Sequence, residues 1–276
     1  MTQQQAGRLW VVATPIGNLD DLSLRAQETL KRVALIAAED TRHSAPLLAR
    51  YGISTRLVAL HEHNERDEAQ RLVGRLAEGE EIALISDAGT PLISDPGFRL
   101  VRAARAAGIA VSPVPGACAA IAALSIAGLP SDRFVFEGFL PAKSGARRER
   151  LAELAAETRT LVFYESSHRV RECVADMVLA FGATRAAVLA RELTKLFETV
   201  IDGDLATLAE RITADANQER GEFVLLVGGR PDDEDARLAE GRRVFALLRE
   251  ELPPARAAKL AAAITGAARK ALYKGD

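Results

Sequence analysis

Two cysteines, Cys118 and Cys173, are the only thiols in 276 residues, too far apart in sequence to suggest a disulfide framework or a zinc spacing. Such usage suits a reducing cytoplasm. His61-Glu62-His63 places two imidazoles on one face of an extended segment, but spacing supplies no third metal ligand, so the pair reads as surface. Neither G-x-G-x-x-G nor G-K-[ST] occurs, which gives a dinucleotide or triphosphate site weak support. The formal net charge is only -2, so no global basic field advertises nucleic acid. One uncharged run, residues 109–129, is long enough to span a bilayer, but Pro113, Pro115 and Gly116 divide it into strand, turn and buried helix. Residues 1–8 enter the first strand without a charged segment followed by an apolar one, so the expectation is a cytoplasmic protein.

What is present describes an ordinary globular chain, 48% hydrophobic and 27% charged, long enough for two domains and a small appendage. In the first half, short β-branched runs at residues 9–13, 34–37, 56–60, 82–85 and 110–114 alternate with helical patterns such as 22–33 and 65–77. That alternation predicts an α/β domain over residues 1–130 with a mainly parallel sheet. A second α/β domain is expected over residues 131–229, with strands at 134–137, 161–164, 186–191 and 223–227. An extended segment at 197–201 directly follows the third of these, which predicts antiparallel pairing and a mixed sheet. Residues 228–235 read as a linker. From residue 237 to 276, nine Lys/Arg face four Asp/Glu, a local +5 that leaves -7 for the rest. The Ala-rich pattern at 253–273, interrupted by Gly266, suggests a helix-turn-helix-like tail module, with a packing or dimerising tail as the alternative.

Polar clusters follow the expected strands. The loop Ser86-Asp87-Ala88-Gly89-Thr90-Pro91-Leu92-Ile93-Ser94-Asp95-Pro96-Gly97 holds two glycines, two prolines and two aspartates in addition to Asp87's neighbours, a composition that fixes backbone angles and leaves amides exposed to a small polar ligand. Pro15-Ile16-Gly17-Asn18 and Pro115-Gly116-Ala117 belong to the same expected carboxyl edge, where open α/β sheets bind ligands. Glu39-Asp40-Thr41-Arg42-His43, Tyr164-Glu165-Ser166-Ser167-His168-Arg169 and Arg191-Glu192-Leu193-Thr194-Lys195 end further strands. The segment 138–150 carries Lys143, Arg147, Arg148 and Arg150 beside Phe139, and suits either a phosphate grip or the start of a solvated helix.

In this order, these segments resemble the tetrapyrrole methylase superfamily, and within it the branch of 16S rRNA ribose 2'-O-methyltransferases acting on a decoding-centre cytidine. The resemblance spans nearly the whole chain, from Thr14-Pro15-Ile16-Gly17-Asn18 to the tail. It implies S-adenosylmethionine (SAM) in a cleft between two α/β domains, a homodimer, and the small ribosomal subunit or its 16S rRNA as partner, with neither membrane nor DNA involved. The family's cofactor loops fall on Pro15, Gly17, Asp87, Ala88, Gly89, Thr90, Pro91, Ser94, Pro115, Gly116, Ala117 and Tyr164. Candidates for handling the ribose hydroxyl are Glu165, His168, Glu39, Asp40 and Lys195, which the sequence leaves unranked; a lysine acts as a base only when neutral. RNA contacts are expected from Arg42, Lys143, Arg147, Arg148, Arg169, Arg256, Lys259, Arg269 and Lys270. Two rivals stay open: a small-molecule methylase of the tetrapyrrole type, and a non-catalytic ribosome-assembly factor that binds RNA.

Overall fold

The computed structural model describes residues 7–61, 63–231 and 234–273. Readings that involve residues 1–6, Glu62, Asp232, Asp233 or the last three residues lie outside the described part. The chain forms two compact units, residues 1–229 and 230–276. The first contains two five-stranded sheets.

In the first sheet, β1 (Arg8–Val12), β2 (Leu35–Ala38), β3 (Leu57–Ala59), β4 (Glu81–Ile85) and β5 (Ala110–Val114) are ordered β3-β2-β4-β1-β5. Every pair is parallel, as the alternating pattern predicts. The helices divide between the two faces. Ala26 and Leu30 of α1 (Leu24–Arg32) and Leu48 of α2 (Thr41–Arg50) pack with Ile36, Ala38, Ala83 and Ile85. Leu72 and Leu76 of α3 (Glu65–Ala77) and Leu100 and Ala104 of α4 (Phe98–Ala106) pack with Leu35, Ala37, Ile82 and Leu84. Alternate residues of β2 and β4 therefore serve opposite faces, and both strands are apolar throughout because neither face meets water.

This winding fixes the position of the binding edge. The central strand β4 lies between β2 and β1, yet its outgoing helix covers the face opposite to theirs. The connections diverge there, leaving a crevice at the carboxyl ends of the three strands.

The second sheet comprises β6 (Phe134–Phe139), β7 (Thr160–Ser166), β8 (Ala186–Arg191), β9 (Thr199–Asp204) and β10 (Glu222–Val227), ordered β6-β7-β10-β8-β9. Only β6 and β7 are parallel, so the sheet is mixed. The segment expected at 197–201 pairs instead over Thr199–Asp204, because Lys195 and Glu198 first complete a turn through Lys195 N–H to Glu192 O and Glu198 N–H to Lys195 O. Phe223, Leu225 and Val227 face α6 (Ser144–Leu154), α7 (Val170–Phe181) and α8 (Leu205–Ala214). Val224 and Leu226 face the other way, onto α5 (Ala119–Ile126) and Ile16. Thus a residue of the first sheet's leading loop is part of the second sheet's core.

The second unit packs α9 (Glu234–Arg249) against α10 (Pro254–Thr265) around Phe245, Ala257, Ala258 and Ala261. Gly266 ends α10 in the left-handed region, φ 73°, where its N–H bonds Ala262 O. A short 3-10 turn, Arg269–Tyr273, follows, so the helix, glycine turn and second helical segment form as the tail pattern predicts.

Arg147 corrects one expectation. On α6 it points into the fold with its side chain 2% exposed, and donates from Nε to Asp176 of α7 at 2.7 Å. A guanidinium so enclosed cannot grip phosphate. The apolar spacing of α6 carries the residue inward, and Asp176 supplies the compensating charge. Removing one partner of a buried pair leaves the other uncompensated. Arg147→Ala is therefore expected to lower the unfolding free energy by about 3–5 kcal/mol in urea denaturation. Arg148→Ala, in which the lost side chain is 61% exposed, is expected to cost under about 1 kcal/mol.

Candidate active site

Three loops meet at the crevice through backbone bonds. Thr14 N–H donates to Gly89 O at 2.8 Å, and Gly89 N–H returns a bond to Thr14 O at 3.1 Å. Thr90 Oγ1 donates to Ala117 O at 2.9 Å. Gly89 has φ 79°, and a Cβ there would stand 3.2 Å from Ile16 Cγ2, so both conformation and closeness require glycine. Asp40 N–H donates to Asp87 Oδ1 at 3.1 Å, which joins the loop after β2 to the same assembly.

These loops form one wall of a cavity of about 430 Å³, and the second sheet forms the other. Of the residues expected to hold cofactor, Asp87, Ala88, Gly89, Thr90, Ser94 and Tyr164 line it. Pro15 and Gly17 instead line a second cavity of about 300 Å³. Pro91, Pro115, Gly116 and Ala117 line neither, although Ala117 anchors Thr90. Sequence reasoning missed Asp95, Phe139 and the run Gly221-Glu222-Phe223-Val224. The glycine at the start of an apolar strand was the available signal for the last, since a Cβ on Gly221 would collide with the Glu192 side chain at 2.6 Å.

The main cavity is acidic. Glu39, Asp87, Asp95, Glu165 and Glu222 line it, and its described lining contains no Lys or Arg. Burial pushes the Asp95 carboxyl up to about 6, with the nearby charges of Glu39 and Asp87 adding to the shift against a hydrogen bond with Ser86. Glu39 is raised as well, first by burial and then by Asp87. Tyr164 closes one side, with Phe136 and Phe139 edge-on at 5.0 and 5.7 Å, and its hydroxyl accepts the Ala120 N–H at 3.1 Å.

The candidate bases separate. Asp40 caps α2 and binds Arg42 at 2.9 Å, and that pairing holds its carboxyl near the surface at about 2, which leaves a poor proton acceptor. Glu165 lines the cavity, but its carboxylate is buried, with Oε1 accepting the Ser166 N–H at 2.8 Å and Oε2 3.3 Å from Arg169. Lys195 Nζ donates to Glu192 and Glu222, each at 2.9 Å. Burial alone would lower its pKa, yet these two bonds outweigh burial and raise it, so Lys195 is a cation rather than a base. His168 is exposed and lines neither cavity. Glu39 remains, lining the cavity with its carboxyl raised.

The RNA candidates separate too. Arg169 donates to Leu140 O at 2.6 Å and Pro141 O at 3.2 Å, which assigns it to holding the loop after β6 rather than to phosphate. Arg42 is exposed beside Asp40, Lys143 is exposed at the start of α6, and Arg148 is exposed while bound to Asp176. Arg256, Lys259, Arg269 and Lys270 are all exposed on the second unit.

Residues 8–209 match the family model of tetrapyrrole (corrin/porphyrin) methylases. The chain belongs to the tetrapyrrole methylase family. Residues 235–274 of this methylase match a second model, the RsmI C-terminal HTH domain. Among its relatives, a protein of Xylella fastidiosa (strain Temecula1) named ribosomal RNA small subunit methyltransferase I is 64% identical, over 98% of each chain. A Pseudomonas aeruginosa protein of the same name is 60% identical over 98% of this chain and 96% of its own. The fold also matches a solved uroporphyrin-III C-methyltransferase from Thermus thermophilus complexed with S-adenyl homocysteine. That match has a TM-score of 0.56 at 20% identity and covers 80% of this chain and 97% of that one. Among the described residues, no helix of the methylase is long and apolar enough to cross a membrane.

The raised carboxyl has a measurable consequence. Asp95 holds its proton up to about pH 6 when folded, against 3.8 for the ordinary group, so the native state binds more protons within that window and loses stability as pH rises through it. Asp95→Asn is expected to raise the melting temperature at pH 8, with the gain fading as pH falls through 6 and absent near pH 4.

Proposed function

We propose that the protein transfers a methyl group from SAM to the 2'-hydroxyl of a cytidine in 16S rRNA of the small ribosomal subunit. The observation that carries this reading is the match to the small-subunit rRNA methyltransferases, which runs through both the methylase region and the tail. A cytoplasmic setting goes with that substrate.

The main cavity suits SAM on its own chemistry. Carboxylates without a lysine or arginine favour a cation and disfavour polyphosphate, while Ile16, Ala190, Leu193 and Val224 give an apolar floor. The backbone of Ala88, Gly89 and Thr90, approachable because Gly89 has no side chain, and the Tyr164 and Phe139 rings are the groups that would hold it. When bound, SAM supplies a methyl carbon activated by its sulfonium. The chain must then align a hydroxyl with that carbon and accept its proton. Alignment is the larger contribution to displacement at an already activated centre. Glu39 is the proton acceptor in this reading, because it borders the cavity and its raised carboxyl lies closer to neutral pH than an ordinary one. Asp95 and Asp87 supply negative charge beside it. Lys143, Arg148, Arg42 and the four exposed cations of the second unit are the proposed phosphate contacts.

Labelled SAM incubated with small subunits from cells lacking the modification is expected to give ribose methylation at one cytidine. Glu39→Gln is expected to reduce kcat about 10²- to 10⁴-fold. Label entering a tetrapyrrole and no RNA would overturn the reading in favour of the small-molecule alternative. A cleft that binds SAM and never turns over would favour the assembly factor.

The reading includes a homodimer. Leu196 (91% exposed), Phe197 (66%) and Val200 (40%) form an apolar strip at the outer strand β9, larger than a monomer's surface ordinarily presents at one edge. Sedimentation is expected to return a dimer, and Phe197→Glu to shift it towards monomer.

A further inference from the structure

The second cavity, about 300 Å³, shares Ile16, Asp87, Ala88 and Glu222 with the first. The two are lobes of one site, separated by a thin wall, and differ in chemistry. The first holds carboxylates and no cation, whereas Lys195 borders the second. Two of its three ammonium hydrogens are taken by Glu192 and Glu222, leaving one donor. Close packing fixes its position, since a Cβ on Gly17 would fall 2.4 Å from Lys195 Cγ. Leu19, Pro46 and Leu47 give the second lobe flat apolar walls.

Ser44 marks this lobe as a binding site. It lies in α2, lines the cavity, and is only 3% exposed. Its Oγ has no hydrogen-bond partner among the described residues. Hydroxyls inside helices commonly bond the carbonyl four residues earlier. Thr29 does so to Arg25 O at 2.7 Å and Thr265 to Ala261 O at 2.8 Å. Ser44 does not. A sealed, unpaired hydroxyl costs free energy in the empty protein, and a ligand with a polar edge relieves that cost.

Resting on the methyltransferase reading above, we infer that this lobe receives the target nucleoside, extruded from the RNA, with Ser44 Oγ hydrogen-bonded to its base edge and Lys195 donating to an acceptor oxygen. Flat walls and a single orphaned hydroxyl suit one heterocycle, and a base stacked within a helix cannot enter a lobe of this size. The ribose then lies towards the shared wall, beside the cavity that takes SAM. Lys195 is thereby a substrate-binding cation, not the base.

Full-length Ser44→Ala and Ser44→Phe, with labelled SAM and unmodified small subunits, test the inference. Melting temperature and calorimetric SAM affinity serve as controls. Ser44→Ala is expected to lower kcat/KM for the subunit about tenfold, the loss of one buried hydrogen bond. Ser44→Phe, which fills the lobe, is expected to lower it about a hundredfold or more. Both are expected to keep SAM affinity within about threefold of wild type. Wild-type methylation by a folded, SAM-binding Ser44→Phe would overturn the inference, as would loss of SAM affinity, which would assign the lobe to the cofactor. If Ser44→Phe does not fold, unchanged kcat/KM in Ser44→Ala overturns it. Failure of the wild-type protein to methylate any subunit would remove the functional reading itself, and this inference with it. Wild-type activity insensitive to Ser44 removes the inference alone.

Discussion

The reciprocal backbone bonds between Thr14 and Gly89 hold the site together. They occur where β4 sends its helix to the opposite face from β1 and β2, the point at which the parallel sheet leaves its carboxyl ends uncovered. With these loops tied, Ile16 is carried out of the first sheet and into the core of the second, beside Val162, Val188 and Val224. One loop therefore lines the cavity and joins the two sheets. Because the contacts are made by main chain, side chains here are free to serve the ligand.

Charge is sorted along the same lines. The cavity concentrates carboxylates, which raises Asp95 and Glu39 through burial and mutual repulsion. Cations nearby are committed to partners that hold them away from it, as Lys195 is to Glu192 and Glu222, and Arg169 to Leu140 and Pro141. The exposed cations of the second unit are separate from this arrangement in sequence as well as chemistry. A nearly neutral total thus conceals an acidic cleft and a basic tail, and it is the distribution that bears on ligand choice.

Much of this was legible in the chain itself. Strands β5 and β8 form over the residues their patterns predict, since β-branched and apolar runs bounded by turn residues have few alternatives. The Ser86–Gly97 loop is a cavity wall because its glycines and prolines limit the backbone whatever surrounds it. Side-chain destinations were less legible. Arg147 and Arg148 are adjacent in sequence, yet one is enclosed and the other exposed, a difference set by the helix face and by Asp176 on another helix. The Gly221–Val224 wall was invisible for a similar reason: β10 reads as core, and its first residues reach the cavity only because β10 lies between β7 and β8. Pairings distant in sequence leave no periodic trace.

Strain is placed on both walls of the cavity. Leu92 and Ser94 on one, Glu192 and Thr194 near the other, have φ of 73°, 74°, 51° and 65° without being glycine. Such conformations cost of order 1–3 kcal/mol each and persist only where neighbours overdetermine them. Here the neighbours are identifiable. Ser94 stands so close to Gly138 that a Cβ there would come within 3.0 Å of its Oγ, and Thr194 N–H is held by Glu198 at 2.6 Å. A chain selected for stability alone would relax these turns, unpair the crowded carboxylates and give the Ser44 hydroxyl a partner. All three departures from the stable choice border the same two cavities, and that coincidence ties the local costs to binding rather than to folding.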